Sequence, residues 1–260
     1  MLLAIDVGNT NTVLGLFDGP RIDSSWRIKT DARTTGDEMA LTFRGLLAGS
    51  PPVSGIALCS TVPTVLREMR QMLARYYQHL PTVIVEPGTK TGVPVLTDNP
   101  KEVGADRIVN TLAAHHLFGG PSIVVDFGTS TNFDVVSSRG EFLGGSLAPG
   151  IEISVDALAA RAAQLRKVEL VRPRSVIGKN TVESMQSGVL YGFAGQVDGV
   201  VRRIVAEIGP VTAVVATGGL APIVVEESET ITHHDPDLTL VGLRLVFERN
   251  IAPPVDQPAR

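Results

Sequence analysis

Two similar strand–turn–strand segments, one in each half of the chain, constrain the fold more than any other feature. Each has an apolar run, a polar turn that begins with Asp-x-Gly, and a second apolar run. The apolar runs lie at 2–7 and 12–17 in the first copy and at 122–125 and 133–136 in the second. Asp6 and Asp126 begin the two turns and are 120 residues apart. Because unrelated hairpins have no reason to repeat a carboxylate and a hydroxyl-rich turn at one offset, the pattern predicts a duplication.

The rest of the chain alternates between helical and strand-like segments. Helices are predicted at about 35–47, 63–77 and 100–117, and further strands at 56–59 and 83–85. This alternation is typical of α/β layers. The two related halves are predicted to occupy residues 1–118 and 119–260, with no low-complexity linker between them. The proline-containing end, 252–260, is expected to fray.

The charge balance argues against a nucleic-acid or membrane partner. The 260 residues include 23 basic and 27 acidic side chains, and the net charge of -4 leaves no broad positive field for an anionic polymer or surface. The sequence contains no stretch of about 18 uninterrupted apolar residues. Cys59 is the only cysteine, so an intramolecular disulfide is impossible, and its apolar neighbours predict a buried thiol. We therefore expect a cytoplasmic protein that binds any anionic substrate locally.

The two Asp-Gly turns have the composition of a phosphate site. Their glycines, Asn and Thr residues offer backbone N–H groups and hydroxyls without bulk, which polyphosphates require. A carboxylate would repel phosphate directly, so we expect Asp6 and Asp126 to hold cations or their bound waters. The alternative is a pair of ordinary hairpins, since Asp, Asn and Gly favour turns. The duplication favours the ligand site over that alternative.

A third candidate turn follows the apolar run 211–216. There Thr217-Gly218-Gly219 ends a predicted strand just before a helix, and the glycines would allow a flat group such as adenine or ribose to approach closely. A plain strand-to-helix turn explains the same residues equally well. Neither the P-loop pattern nor the dinucleotide fingerprint occurs at these turns.

The segment after Asn99 is predicted to form a helix that carries an acceptor site. Asn99 would cap it, Pro100 would lie in its first turn, and Gly104 would lie inside it at a cost in stability that invites a close contact. Asp106 lies one turn before Asn110, beside Arg107. These residues supply a carboxylate that could accept a proton and a guanidinium that could bind a carboxylate. A solvated helix face is the alternative explanation.

Another helix is predicted to begin after Asn180, which would cap it with Glu183. Four glycines follow at spacings of four, three and four residues, which place them on one stripe: Gly188, Gly192, Gly195 and Gly199. Such a stripe lets another helix approach closely. It predicts either a subunit or domain interface, or close packing within the chain.

Together these motifs resemble those of type III pantothenate kinases in their order and spacing. The matching segments are Asp6 to Thr12, Gly104-Ala105-Asp106-Arg107, Asp126-Phe127-Gly128-Thr129 and Thr217-Gly218-Gly219. The resemblance runs from the first residue to about residue 250 and implies the duplicated actin-like (ribonuclease H-like) α/β fold, with two related mixed-sheet halves flanking a nucleotide cleft. It also implies ATP-dependent phosphorylation of pantothenate to 4'-phosphopantothenate, the first step of coenzyme A biosynthesis.

The same resemblance implies a role for individual residues. Asp106 would be the general base, Asp6 would hold Mg²⁺ with ATP, and Asp126 would hold a monovalent cation, K⁺ or NH₄⁺. The implied ATP-binding residues are Asp6, Val7, Gly8, Asn9, Thr10, Asn11, Thr12, Val13, Thr129, Gly218 and Gly219. The implied pantothenate-binding residues are Gly104, Ala105, Asp106, Arg107 and Thr181. Family members are typically homodimers, in agreement with the glycine stripe.

One position departs from the family pattern, and two other functions remain open. Thr97 stands where family members often have an aromatic residue that shapes the pantothenate pocket. The alternatives are a nucleotide-binding regulator that acts through a protein partner, since the family has also been described as accessory factors in transcriptional regulation, and a related kinase for another small acid or sugar. The intact motif around Asp106 favours pantothenate as the acceptor.

Overall fold

The computed structural model describes residues 1–161 and 168–251. These residues form two compact units. The first unit comprises Met1–Gly92, Lys101–Ala113 and the segment from Thr239 onward, and the second comprises Val93–Pro100 and Ala114–Leu238. Among the described residues, no helix is both long enough and apolar enough to cross a membrane. The segment 252–260, which was expected to fray, lies outside the described residues.

The first unit is built on a five-stranded mixed sheet in the order β3-β2-β1-β4-β5. Its strands are β1 (Leu2–Val7), β2 (Asn11–Asp18), β3 (Arg21–Lys29), β4 (Gly55–Ser60) and β5 (Thr82–Ile84). Strand β1 is antiparallel to β2 and parallel to β4. Helices α1 (Gly36–Leu46) and α2 (Pro63–Tyr76) cover one face, where Leu3, Ile5 and Val7 join the buried apolar cluster.

The second unit repeats this plan. Its sheet has the order β8-β7-β6-β9-β10 when read from the same edge. Its strands are β6 (Ser122–Phe127), β7 (Ser130–Val136), β8 (Phe142–Pro149), β9 (Ala213–Thr217) and β10 (His233–His234). Strand β6 is antiparallel to β7 and parallel to β9, as β1 is to β2 and β4. The matching topology agrees with the duplication predicted from the two turns.

Five further helices complete the described chain: α3 (Ala105–Phe118), α4 (Ile151–Arg161), α5 (Thr181–Ile208), α6 (Ala221–Val225) and α7 (Leu238–Ile251). Helix α7 is last in the sequence but packs on the sheet of the first unit. A Cβ atom placed on Gly15 would lie 2.8 Å from Cδ1 of Leu240, and one on Gly55 would lie 2.3 Å from Cζ of Phe247. The glycines therefore let α7 approach the face of the sheet opposite α1 and α2.

Local capping explains why two of the predicted helices begin where they do. At the start of α1, the Thr35 hydroxyl accepts a hydrogen bond from the Glu38 N–H at 3.4 Å, and Glu38 reaches back to the Thr35 N–H at 2.8 Å. At the start of α5, Asn180 accepts from the Glu183 N–H at 2.9 Å. The predicted segments 35–47 and 63–77 agree with α1 and α2 to within one residue.

The predicted helix at 100–117 is wrong at its start. Pro100–Glu102 forms a short 3₁₀ turn, and α3 begins at Ala105. Gly104 therefore precedes the helix, and its carbonyl accepts the first bond, from the Ile108 N–H at 3.3 Å. Because glycine is well tolerated at this capping position, it does not carry the cost expected of a glycine inside a helix.

Candidate active site

The first turn lies between β1 and β2 in the first unit. The Gly8 N–H donates a hydrogen bond to the Asn11 carbonyl at 3.0 Å, and Asn9 and Thr10 are exposed at the tip. Thr12 is buried, and its hydroxyl lies 2.9 Å from that of Thr30. The tip therefore presents backbone and side-chain donors to solvent, whereas the Thr12 hydroxyl is engaged within the protein.

Asp6 is half-buried at the end of β1, next to Cys59 on β4. The two residues are in register, and the Cys59 thiol donates to Oδ1 of Asp6 at 3.2 Å. Burial and the negative charge of Asp106 raise the pKa of Asp6 from 3.8 to about 7, against the opposing effects of the Cys59 hydrogen bond and the Arg27 charge. Burial, together with the two carboxylates, also raises the pKa of Cys59. The predicted buried thiol is confirmed, but its contact with Asp6 was not foreseen.

Asp106 is the second residue of α3, and its carboxylate is held by the local backbone. The Arg107 N–H donates to Oδ1 of Asp106 at 2.9 Å. Burial raises the pKa of Asp106, although that hydrogen bond and the Arg107 charge oppose the shift. A Cβ atom on Gly104 would lie only 2.5 Å from the same oxygen. A side chain at 104 would therefore displace this carboxylate. The close contact is the Asp106 side chain, rather than the ligand or neighbouring backbone that was expected there.

The helix that carries Asp106 is fixed by α7. Asn110, one turn after Asp106, is fully buried, and its Oδ1 accepts a hydrogen bond from the Thr239 hydroxyl at 2.8 Å. A Cβ atom on Gly242 would lie 2.1 Å from the Val109 carbonyl oxygen, so the two helices are in direct backbone contact. The solvated-face alternative for this helix is therefore wrong. Asp6 and Asp106, which are 100 residues apart in the sequence, influence each other within one compact unit.

The second turn forms a separate cluster in the second unit. The Gly128 N–H donates to the Ser130 carbonyl at 3.0 Å, and Thr129 is exposed beside it. Asp126 is half-buried at the end of β6. Gly218 has a φ of +92°, and a Cβ atom there would lie 2.6 Å from Oδ1 of Asp126. Only glycine can bring this turn so close to the carboxylate. Gly219 follows and is exposed.

Two other predicted positions also lie in the second unit. Thr181 is exposed at the first position of α5 and lines an open groove of about 680 Å³ with α4. Thr97 lies beside β8, where its methyl group would be 3.8 Å from a Cβ atom on Gly144. Its buried hydroxyl has no hydrogen-bond partner among the described residues.

Comparison with known sequences identifies the family. A family model for type III pantothenate kinase matches residues 2–203. The chain belongs to this family. The segment that matches the type III pantothenate kinase model includes Asp6, Asp106 and Asp126. Gly218 and Gly219 lie beyond it.

Full-length relatives agree with the family model. The type III pantothenate kinase of Frankia alni is 69% identical over 251 residues, which cover 96% of this chain and 100% of that protein. The type III pantothenate kinase of Streptomyces griseus is 62% identical over 263 residues, which cover 97% and 99% of the two chains. The similarity therefore extends over nearly the whole length of this pantothenate kinase family member.

Solved structures with much lower identity share the fold. A conserved Baf family protein from Campylobacter jejuni has a TM-score of 0.58 and 18% identity, covering 95% of this chain and 98% of its own. An activator of 2-hydroxyisocaproyl-CoA dehydratase from Clostridium difficile, with bound ADPNP, has a TM-score of 0.55 and 13% identity, covering 95% and 94%. A ROK family glucokinase from Streptomyces griseus has a TM-score of 0.51 and 13% identity, covering 93% and 97%. The predicted duplicated actin-like α/β fold is confirmed.

Proposed function

We propose that this chain transfers the γ-phosphoryl group of ATP to the hydroxyl of pantothenate and forms 4'-phosphopantothenate, the first step of coenzyme A biosynthesis. The observation that carries the proposal is that Asp6 and Asp106 lie in one compact unit of a pantothenate kinase family member, where the charge of Asp106 acts on Asp6. Phosphoryl transfer needs a group that positions the phosphates and a base that accepts the hydroxyl proton. The two carboxylates fit these roles. A cytoplasmic location is proposed with this activity.

Asp106 acts as the general base. It accepts the acceptor hydroxyl proton as the hydroxyl oxygen bonds to the γ-phosphorus and the bond from that phosphorus to the β–γ bridging oxygen breaks. Its raised pKa makes its carboxylate a stronger base than a solvated aspartate. The hydrogen bond from the Arg107 N–H to one oxygen of Asp106 orients the carboxylate. Arg107 pairs with the pantothenate carboxylate, and Gly104, Ala105 and Thr181 complete the acceptor contacts.

The turn that follows Asp6 binds the ATP phosphates. The proposed ATP-binding residues run from the end of β1 through this turn into β2: Asp6, Val7, Gly8, Asn9, Thr10, Asn11, Thr12 and Val13. The exposed tip at Asn9 and Thr10 supplies hydrogen-bond donors. The Thr12 hydroxyl stabilises the turn through its hydrogen bond with the Thr30 hydroxyl. Asp6 fits a divalent cation such as Mg²⁺, which kinases bind through one or two carboxylates, waters and the phosphates themselves. That cation would neutralise phosphate charge during transfer.

Residues of the second unit bind other parts of the nucleotide and a monovalent cation. Thr129 contacts ATP, and Gly218 and Gly219 accommodate the adenosine. Position 218 is a glycine because a side chain there would collide with Asp126. Asp126 would hold K⁺ or NH₄⁺. The close approach of the Gly218 turn to this carboxylate supports a compact site in that unit.

The protein forms a homodimer through the glycine stripe of α5. A Cβ atom on Gly188, Gly192 or Gly195 would meet nothing within 4 Å, so this face carries no partner among the described residues. Gly192→Leu should therefore leave the protomer folded but disrupt a close helix contact, as measured by sedimentation velocity. The matched control is Gly45→Leu, at an equally open glycine of α1. An unchanged sedimentation coefficient in Gly192→Leu would place the subunit contact elsewhere.

The test of function is a coupled assay of ADP release from MgATP, with and without pantothenate, in potassium and in sodium buffer. We expect turnover that requires pantothenate and is higher in potassium. Asp106→Asn should lower kcat by about 10²-fold or more while leaving the fold intact, since general-base catalysis contributes roughly 10²–10⁴-fold. ATP binding without any pantothenate-dependent turnover would favour the regulator; turnover with another acid or sugar alone would favour the related kinase.

A further inference from the structure

Four residues lie side by side across the sheet of the first unit, one on each of four strands. Asp6 on β1 pairs with Cys59 on β4 and with Val13 on β2, and Val13 pairs with Arg27 on β3. Directly opposite residues on neighbouring strands project to the same face of a sheet. The Arg27 side chain therefore shares a face with the Asp6 carboxylate, two strands and about 10 Å away at the Cα atoms.

The alternation along β3 leaves the guanidinium of Arg27 on the outside. Trp26 and Ile28 turn towards the apolar cluster beneath α1 and α2, whereas Arg27 is exposed. The Arg27 side chain makes no hydrogen bond or ion pair with any residue in 1–161 or 168–251. Its positive charge nevertheless acts on Asp6, where it opposes the rise in pKa. Arg27 is thus a cation near Asp6 whose side chain is not engaged in the local structure.

The other cations of β3 have different surroundings. Arg21 lies 3.7 Å from Asp23 in an exposed ion pair at the opposite end of the strand. Lys29 acts on the neighbouring Asp31, whose pKa is lowered mainly by hydrogen bonds from Arg33 and to a lesser extent by these positive charges. Arg107 lies beside Asp106, where it is proposed to bind the acceptor carboxylate. Arg27 is therefore the guanidinium of β3 that is best placed to serve the phosphate side.

We propose that Arg27 binds the γ-phosphoryl group of ATP and stabilises its negative charge during transfer. The inference rests on the proposed function. The triphosphate must lie beside two carboxylates, Asp6 and Asp106, so a cation in addition to the metal lowers the repulsion that this arrangement creates. A guanidinium offers five N–H donors in a planar fork that matches phosphate oxygens. Arg27 forms and breaks no covalent bond, and the hydroxyl proton still passes to Asp106.

Calorimetric titration of nucleotides in the absence of pantothenate isolates this contact. The probes are ADP and a non-hydrolysable ATP analogue with an intact γ-phosphoryl group, each with Mg²⁺. The variants are Arg27→Gln, Arg27→Lys and the control Arg21→Gln, which removes the same charge from the same strand about 20 Å away. In Arg27→Gln we expect the analogue to bind about tenfold more weakly and ADP to bind within about twofold of wild type.

Turnover supplies the second readout. Arg27→Gln should lower kcat by about 10²-fold, the size of effect seen when one donor to a developing charge is removed. Arg27→Lys should recover most of the analogue affinity but only part of kcat, because it keeps the charge and loses the fork. Arg21→Gln should match wild type in both assays.

Three results would overturn the proposal. Equal weakening of ADP and the analogue in Arg27→Gln would show that the residue acts on the fold or on other phosphates, and a kcat within about twofold of wild type would show no role in transfer. Loss of pantothenate affinity alone would also refute it, by assigning Arg27 to the acceptor. If wild type lacks pantothenate-dependent turnover, the proposed function fails, and the two nucleotide titrations still decide whether Arg27 contacts the γ-phosphoryl group.

Discussion

Replacing Asp6 with Asn should stabilise the ligand-free protein at alkaline pH. The pKa of Asp6 is raised from 3.8 to about 7, mainly by burial and then by the charge of Asp106. Between these pH values the folded chain holds a proton that the unfolded chain has already lost. The stabilising contribution of the protonated carboxyl is therefore complete below about pH 3.8 and is lost as the pH rises to about 7.

The size of this effect follows from the two pKa values. For one group that titrates at 3.8 in the unfolded chain and at about 7 in the folded one, the free energy of unfolding falls by about 3 kcal/mol between pH 5 and pH 8. Asn cannot ionise, so the Asp6→Asn variant should avoid this loss. The difference in unfolding free energy between variant and wild type should therefore shift by about 3 kcal/mol in favour of the variant.

Thermal unfolding at pH 5 and pH 8, without nucleotide or divalent cation, measures this shift. A change of about 3 kcal/mol corresponds to about 6 to 12 °C in Tm for a chain of this size. Asp18→Asn, at an exposed position on β2 in the same unit, makes the same chemical change away from Asp106 and serves as the control. If the Tm difference between Asp6→Asn and wild type is the same at both pH values, the buried-carboxylate argument is wrong.

Three further predictions concern the same carboxylates and one structural aspartate. Gly104→Ala should displace the Asp106 carboxylate, because one of its oxygens lies 2.5 Å from the new Cβ position. Steady-state kinetics should then show a loss in kcat. At pH 6.5, MgATP binding should release a fraction of a proton in wild type but not in Asp6→Asn, because cation binding requires the ionised carboxylate. Calorimetry in buffers of different ionisation enthalpy would detect this proton release. Asp198→Ala should cost on the order of 3 kcal/mol in chemical denaturation, because its carboxylate accepts from the Ser228 hydroxyl at 2.7 Å and the Thr230 hydroxyl at 2.8 Å.

The contribution of Asp198 to the free energy of unfolding changes with pH in the opposite direction to that of Asp6. Burial alone would raise the pKa of Asp198, but hydrogen bonds from Ser228, Glu229 and Thr230 outweigh it and lower that pKa. Its stabilising contribution is therefore present above the pKa of an unfolded aspartate and is lost as the pH falls through the lower folded value. Wild type and Asp198→Ala should converge in stability on acidification.

The sequence was most informative where structure depends on local contacts. The capping box of Thr35 with Glu38 and the cap at Asn180 each involve residues three apart, so the starts of α1 and α5 could be predicted. The duplicated turns were visible because their carboxylates and glycines recur at one offset. The two sheets have the same strand order, in agreement with this repeat.

Strand β3 shows a signal that could have been used. Along Arg21–Lys29, half-buried and exposed residues alternate without interruption, as expected of a strand with one covered face. Its many polar residues conceal this pattern, because the strand contains no continuous apolar run. The start of α3 was misplaced for another reason, since Pro100 favours the first turn of any helix, including the 3₁₀ turn that forms there. The predicted halves at 1–118 and 119–260 stay a prediction about the duplication.

The pairing of Asp6 with Asp106 could not be derived from local sequence, and its cause lies in the end of the chain. Asp106 occupies the first turn of α3, whose position depends on α7 through the Thr239–Asn110 hydrogen bond and the backbone contact at Gly242. Helix α7 in turn packs on the sheet that carries Asp6, where Gly15 leaves room for it. A chain that ended before α7 would therefore keep both carboxylates in its sequence but lose the contacts that hold α3 against the sheet. The proximity of Asp6 and Asp106 is a property of the assembled unit rather than of either motif.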